Sequence, residues 1–187
     1  AYTIATNINY NTTLVTQGIE AISTNSSTAE TAFAKVGDIT LVGSSTNASA
    51  TVNLVLNFYV GNDTTVDFSL TSSSVTVSGT NTATGSLFND LDDLISEINT
   101  AASNNNVEIV AKKSSDGKLI LTTTNGETIG IQVEVTLTAA ASFTVNLDQL
   151  IQGATAQTFS GVASGTAYAV KVGTLQIAGV DTYAISY

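Results

Sequence analysis

The sequence predicts a mainly β fold, with sandwich-like antiparallel sheets, one amphipathic helix and an extended N-terminal strand. Two patterns predict this class. Apolar and polar residues alternate through several short segments, which are separated by polar stretches rich in Gly, Asn and Asp. One segment alone, residues 86–104, repeats its apolar residues at helical spacing. The hydrophobic content of 43% in 187 residues is sufficient for a substantial core.

The first ten residues alternate as a β-strand does. Four large apolar side chains fall on one face of this predicted strand: Tyr2, Ile4, Ile8 and Tyr10. The ordinary interpretation is a first strand of the chain's own sheet. The alternative, which we adopt as the hypothesis, is a donor strand that leaves its own head domain, residues 11–187, and completes the sheet of a neighbouring copy. Within the head domain, the polar stretch 79–85 is the candidate subdomain boundary.

The other strands follow from the same alternation. The segment 23–28 is interpreted as a polar break, and 28–35 as either a short helix or a strand. Strands are predicted at 38–42, 52–60, 66–70, 75–78, 107–113, 118–124, 128–138, 143–147, 157–162, 167–172, 175–177 and 182–187. Polar turns or loops separate them at 43–49, 61–63, 115–117 and 125–126, and a single helical turn is expected at 147–151. The sequence shows no repeat of fixed period.

The helix at 86–104 has a clear start signal. Ser86 or Asn89 is expected to cap it, and three carboxylates, Asp90, Asp92 and Asp93, sit in its first turns, where the helix dipole favours anions. These carboxylates do not match a calcium-binding EF-hand loop, because neither the glycine at its sixth position nor the closing glutamate is present. We therefore predict capping and no metal site.

Composition excludes several functional classes. The chain has no His, Cys, Met, Trp or Pro, while Ser, Thr and Asn make up more than a third of it. Without His or Cys, the usual general base and thiolate nucleophile are absent, so we predict no enzymatic activity. The net charge of −10 disfavours nucleic acid as a partner. No apolar run is long enough to span a membrane, and the scarcity of charges and oxidisable sulfur indicates an extracellular protein.

Four N-glycosylation sequons begin at Asn11, Asn25, Asn47 and Asn62. We expect N-linked glycans on some of them in an archaeal or eukaryotic extracellular protein, O-linked sugars on Ser or Thr in a bacterial one, and no other cofactor. The chain begins with Ala1, which is compatible with removal of a leader peptide or with excision from a longer protein.

Two resemblances bear on function. Residues 86–135, which include LFNDLDDLISEINTAASNNNVEIVAKKSSDGKLILTTTNGETIGIQVEV, resemble the insert module of bacterial flagellin and hook-associated outer domains, a helix ending in Ile-Asn followed by a hairpin. This resemblance implies a surface-exposed variable domain, since the coiled-coil helices that polymerise flagellins are absent. The organisation of the whole chain, with its N-terminal tail and sequons, resembles the subunits of archaeal thread filaments. That resemblance implies head-to-tail assembly through the N-terminal strand.

The hypothesis taken from the sequence is therefore an extracellular structural subunit of a pilus-like surface filament, with identical subunits as its partners and with possible contacts to other surfaces. The first alternative is the flagellin variable domain, which would be monomeric when isolated. The second is a secreted carbohydrate-binding or adhesin domain.

Overall fold

The computed structural model describes residues 1–42, 49–61, 64–72, 75–78 and 82–179. The N-terminal part contains helices α1 (Tyr2–Tyr10) and α2 (Thr12–Thr16) and then strands β1 (Glu20–Thr28), β2 (Gly37–Val42), β3 (Ser49–Val60), β4 (Phe68–Thr71), β5 (Val75–Ser78) and β6 (Thr82–Leu87). The C-terminal part contains α3 (Leu91–Asn104), β7 (Ile109–Lys113), β8 (Leu119–Thr123), β9 (Ile129–Val145), a 3-10 turn (Leu147–Gln149), β10 (Gln157–Lys171) and β11 (Thr174–Ala178). The predicted mainly β, antiparallel class is confirmed.

The strands form two sheets. The smaller has the order β11-β1-β8-β7, and the larger is built around β9. One edge of β9 pairs with β10, and the other edge pairs first with β3 and then with β2. β4 and β5 continue from β3, and β6 continues from β2. All these pairings are antiparallel, which short connections allow.

The core lies under β3 and β9, where alternate residues face inward as the sequence predicts. The fully buried large side chains of these strands are Leu54, Leu56, Phe58, Ile129, Ile131 and Phe143. Phe58 stacks on Phe68 of β4, with ring centroids 4.6 Å apart. Helix α3 adds Leu94 and Ile98 to the same cluster. This single cluster joins both sheets, so that the burial of apolar area holds them together.

Two pairs of predicted strands are each one long strand. Residues 128–138 and 143–147 fall largely within β9, and residues 157–162 and 167–172 fall largely within β10. The sequence between each pair is rich in Ala, Gly and Ser, which interrupts the apolar alternation without interrupting backbone pairing. The register of β10 against β9 shifts between Phe159 and Ser164, which is where its pattern breaks.

The N-terminal segment is a helix, so the predicted extended strand is wrong for this chain. Ile4 and Ile8 are spaced by four residues, and this spacing places them on one side of a helix as readily as alternation places them on a strand. Tertiary contacts favour the helix. Ala5 is buried, and α1 packs against β1 and β11. The structure therefore places residues 1–10 against the head domain.

The predicted polar break at 23–28 is also wrong, because these residues belong to strand β1. The inward side chains of residues 23–28 are polar, and most of their polar groups have partners. Ser27 accepts a hydrogen bond from the Gln152 backbone N–H at 2.9 Å. The Nδ2 group of Asn25 donates two hydrogen bonds, whereas its buried Oδ1 accepts none from the described residues. Residues 29–35 form neither the helix nor the strand that the sequence offered. In this part of β1, hydrogen-bonded polar residues stand at the inward positions where an ordinary strand has apolar ones, so the sequence lacks the apolar alternation that predicts a strand.

Helix α3 begins at Leu91, five residues later than predicted. Its cap is Asp90, whose side chain accepts hydrogen bonds from the backbone N–H groups of Asp92 and Asp93 at 2.8 and 3.2 Å. Neither Ser86 nor Asn89 is the cap. Ser86 lies in β6, which also takes up residues 82–85 of the predicted loop. Phe88, with φ +47°, separates the strand from the helix.

Three predictions concern residues outside the described ranges, wholly or in part: the loop at 43–49, the turn at 61–63 and the strand at 182–187. The hairpin turn at 115–117 is confirmed, because β7 and β8 pair antiparallel across it. The turn at 125–126 is not a hairpin turn, because it leads from β8 in the smaller sheet to β9 in the larger one. Both turns contain a left-handed glycine, Gly117 and Gly126. The expected helical turn at 147–151 is confirmed by the 3-10 turn Leu147–Gln149.

Candidate functional site

The four side chains assigned to the donor strand lie on α1. Tyr2, Ile4 and Tyr10 are exposed, whereas Ile8 is half-buried. Their use as a donor strand would therefore require α1 to unfold and leave β1. Residues 2–10 contain no charged side chain, so α1 offers no ion pair to a charged partner.

The sequons differ in accessibility. Asn11 is exposed, and its Oδ1 caps α2 by accepting hydrogen bonds from the backbone N–H groups of Thr13 and Leu14 at 3.1 and 3.2 Å. An N-glycan attaches to Nδ2, so it is compatible with this cap. Asn47 and Asn62 lie outside the described residues.

Asn25 is buried and cannot carry a glycan in this fold. Its Nδ2 donates hydrogen bonds to the carbonyl oxygens of Glu127 and Lys171 at 2.6 and 2.9 Å, and the residue is 3% exposed. Both amide protons are thus engaged, and the nitrogen has no route to a sugar. The side chain instead ties β1 to the start of β9 and to the end of β10.

The helix-capping carboxylates have structural partners. Asp90 caps α3, and Asp92 in its first turn forms an exposed ion pair with Lys113 at 3.0 Å. Within the described residues, no group of three or more carboxylates is arranged to hold a metal ion. None of the helices in those ranges has the length and apolar content that crossing a bilayer requires.

Three carboxylates, Asp67, Glu108 and Glu127, surround an open depression at one end of the larger sheet. Asp67 accepts a hydrogen bond from the Val60 backbone N–H, and Glu108 accepts one from the Asn125 side chain at 2.8 Å. Burial raises the pKa of Glu127 above its ordinary value, and the nearby charges of Glu108 and Asp67 raise it further. The raised pKa means that the fold opposes ionisation of Glu127.

Glu127→Gln is expected to stabilise the protein at neutral pH. Because the folded pKa lies above the unfolded value, the wild-type fold is most favoured while Glu127 is protonated, and it loses stability as pH rises from about 4.5 through the folded pKa. Urea denaturation from pH 3 to 8 measures this dependence. The variant should match the wild type at the acidic end and exceed it at neutral pH. A wild type that is the more stable of the two at neutral pH would refute the assignment.

The most distinctive polar contact is a clamp between helix and strand. Asn99 of α3 donates a hydrogen bond from Nδ2 to the carbonyl oxygen of Ala111 at 3.0 Å, and its Oδ1 accepts one from the Ala111 N–H at 2.8 Å. Ala111 lies in β7, the edge strand of the smaller sheet. The amide therefore occupies the two backbone groups that a further strand would use.

The same clamp occurs in the N-terminal segment. Asn9 of α1 donates to the Ala21 carbonyl oxygen at 2.7 Å and accepts from the Ala21 N–H at 2.8 Å. In both cases the Asn follows an Ile in a helix, and the clamped Ala lies 12 residues after the Asn. Helix α1 with β1 is thus a second copy of the arrangement of α3 with β7.

Sequence analysis missed this internal duplication. The available signal was the pair Ile8-Asn9 and Ile98-Asn99, each followed at the same spacing by Ala. Helix α1 is difficult to predict because it lacks the leucines of α3 and because its sequence fits an alternating strand equally well.

Asn99→Ala is expected to lower the free energy of unfolding by about 1–3 kcal/mol, because it removes two hydrogen bonds and exposes two backbone groups. Thermal or urea denaturation measures the change. The control is Asn105→Ala, which removes one exposed side-chain bond to the Ala101 carbonyl oxygen and should cost less. Equal losses in the two variants would contradict a structural role for the clamp.

Comparison with known proteins supports one of the two resemblances. No family model matches the chain. It is 35% identical over 190 aligned residues to a flagellin of Aquifex aeolicus, covering 99% of this chain and 31% of that flagellin. It is also 33% identical over 136 residues to a flagellin of Aquifex pyrophilus, covering 72% of this chain and 23% of that protein. The chain is therefore flagellin-like along essentially its whole length, and it spans less than a third of the flagellins that it matches.

Proposed function

We propose that this chain is a surface-exposed structural domain of a flagellin-type filament subunit. The observation that carries the proposal is the similarity of 99% of the chain to part of a flagellin. In this proposal the contacts that polymerise the filament belong to other parts of a flagellin-length chain. The 187 residues then form a rigid, solvent-facing decoration of an extracellular filament made of identical subunits.

The physical character of the domain suits such a position. Its surface is hydrated mainly by hydroxyl and amide groups, since charged residues make up only 11% of the chain. The net charge of −10 makes neighbouring copies of the domain repel each other, except at contacts formed by uncharged residues. The role is structural and not enzymatic, in keeping with the flagellins that the chain resembles.

N-linked glycosylation at exposed sequons is part of the proposal, with Asn11 as the candidate among the described residues. A glycan there would extend from the α2 cap into solvent without disturbing the cap. Asn25 is excluded from the proposal by its burial.

Assembly by a donor strand is the competing proposal for residues 1–10. It requires α1 to unfold, to break the Asn9–Ala21 clamp and to uncover Ala5. Among the described residues, no contact favours that exchange, so we give precedence to the flagellin-type domain.

Negative-stain electron microscopy of the purified chain, beside a variant lacking residues 1–10, separates the two proposals. The flagellin-type proposal predicts discrete particles for both proteins. Long filaments of the full chain that vanish on truncation would overturn it in favour of donor-strand assembly.

A further inference from the structure

Within the described part of the chain, strand β10 has one paired edge and one open edge. One side of β10 pairs with β9 from Gln157 to Lys171, and no strand in the described ranges pairs with its other side. The half from Ser164 to Lys171 keeps an unbroken register with β9, so it offers a regular row of backbone groups. Asn25 reaches only the end of this row, at the Lys171 carbonyl oxygen. An exposed edge of this kind is a template for another strand.

Two Asn clamps occupy strand backbone elsewhere in the fold, and neither lies on β10. Asn99 occupies the backbone groups of Ala111 on β7, and Asn9 occupies those of Ala21 on β1. Each clamp blocks strand addition at its edge, because the amide takes both the donor and the acceptor. Among the described residues, no Asn makes the equivalent pair of bonds to β10. A strand that pairs with residues 164–171 of β10 therefore meets no competition from an Asn clamp.

Charge limits what can pair there. The chain has 15 acidic and five basic residues, yet the segment 157–170 has no charged side chain. Most contacts between two copies would bring like charges together, whereas a contact through β10 would not. A strongly charged partner would gain nothing from this edge. The neutral edge thus fits a second copy of the same acidic chain.

The outer face of β10 carries two large apolar side chains, beside the polar Ser164 and Thr166. Tyr168 and Val170 are 50% and 42% exposed, while Ala167 between β9 and the core is buried. Tyr168 is held edge-on against Tyr59, with ring centroids 5.9 Å apart. A strand added beside β10 would cover part of these side chains, which adds apolar burial to the backbone hydrogen bonds.

We propose that β10 of one copy pairs antiparallel with β10 of a second copy, through residues 164–171, so that the two larger sheets become continuous. Such a contact is two-fold symmetric and closes on itself, which produces a pair of domains and not a filament. The inference goes beyond the proposed function and does not depend on it, because it concerns the isolated chain. On a filament, a neighbouring subunit would supply the second copy.

Sedimentation equilibrium over a concentration series tests the pairing, with Val170→Lys and Val110→Lys as matched variants. Both valines are exposed to nearly the same extent, 42% and 43%, and lie on the strands β10 and β7. Either lysine lowers the net negative charge equally, so general repulsion changes equally. We expect a reversible dimer that Val170→Lys weakens at least about tenfold, while Val110→Lys leaves it unchanged. Thermal denaturation of both variants confirms that each is folded.

Hydrogen exchange supplies the second measurement. Amide protection in residues 164–171 should rise with protein concentration in the wild type and not in Val170→Lys. A wild type that stays monomeric up to about 1 mM would overturn the proposal, as would equal weakening by the two variants. Protection of 164–171 that is independent of concentration would also overturn it, since a segment of the same chain would then occupy the edge.

Discussion

Ile98→Ala is expected to lower the free energy of unfolding by about 2–5 kcal/mol, because it leaves a cavity at a fully buried site. Ile98 is 0% exposed and joins α3 to the shared core, directly before the Asn99 clamp. The loss should therefore affect both sheets in one cooperative transition. Urea denaturation monitored by circular dichroism measures it.

The internal duplication provides the matched control. Ile8 stands in α1 where Ile98 stands in α3, next to the equivalent Asn clamp, but it is only half-buried. Ile8→Ala should therefore cost clearly less than Ile98→Ala, since less apolar area returns to water. Equal costs would mean that α1 is packed as deeply as α3, which would contradict the structure.

Gly126→Ala is expected to destabilise the protein by about 3 kcal/mol or more, through a strained backbone and a steric collision together. Gly126 has φ +72°, in the left-handed region that favours glycine. A Cβ atom there would collide with the backbone of Ser23 and Thr24 in β1, and backbone atoms cannot move aside as a flexible side chain can. The substitution should separate β1 from the β8–β9 turn.

Gly117→Ala isolates the backbone contribution. Gly117 has a similar φ of +75°, but no atom lies within 4 Å of its added Cβ. It should therefore cost only about 1 kcal/mol, the penalty of the left-handed conformation alone. Thermal denaturation of both variants makes the comparison. Similar melting temperatures would show that β1 does not press against Gly126.

The sequence predicted secondary structure best in elements that bury one apolar face and expose the other. Strand β3 alternates strictly from Val52 to Val60, and α3 carries its apolar residues at helical spacing, so both elements were found. Long strands were divided where small residues broke the alternation, as in β9. Backbone pairing does not require an apolar side chain at every second position, and the sequence does not record the pairing itself.

The N-terminal part could not be predicted in the same way. Strand β1 buries the polar residues Asn25 and Ser27, whose partners, Lys171 and Gln152 among them, lie far away in the chain. Tertiary hydrogen bonds of this kind leave no local pattern. Helix α1 satisfied both periodicities, and its packing on β1 decided between them.

The candidate sites were predicted unevenly for the same reason. The sequon at Asn25 is identical in kind to that at Asn11, and only burial distinguishes them. The flagellin-like segment was recognised because its helix and hairpin turn are local features. Its N-terminal counterpart was missed, since the strand paired with β1 is β11, at the other end of the chain.

Immunogold electron microscopy of intact cells of the source organism is the most direct test of the central claim. Antibodies raised against the folded 187-residue chain are applied to unpermeabilised cells, with antibodies depleted on the same protein as the control. The proposed function predicts regular labelling along the whole length of flagellar filaments. Unlabelled flagellar filaments, with gold confined to thin pilus-like threads or to the cell body, would contradict it.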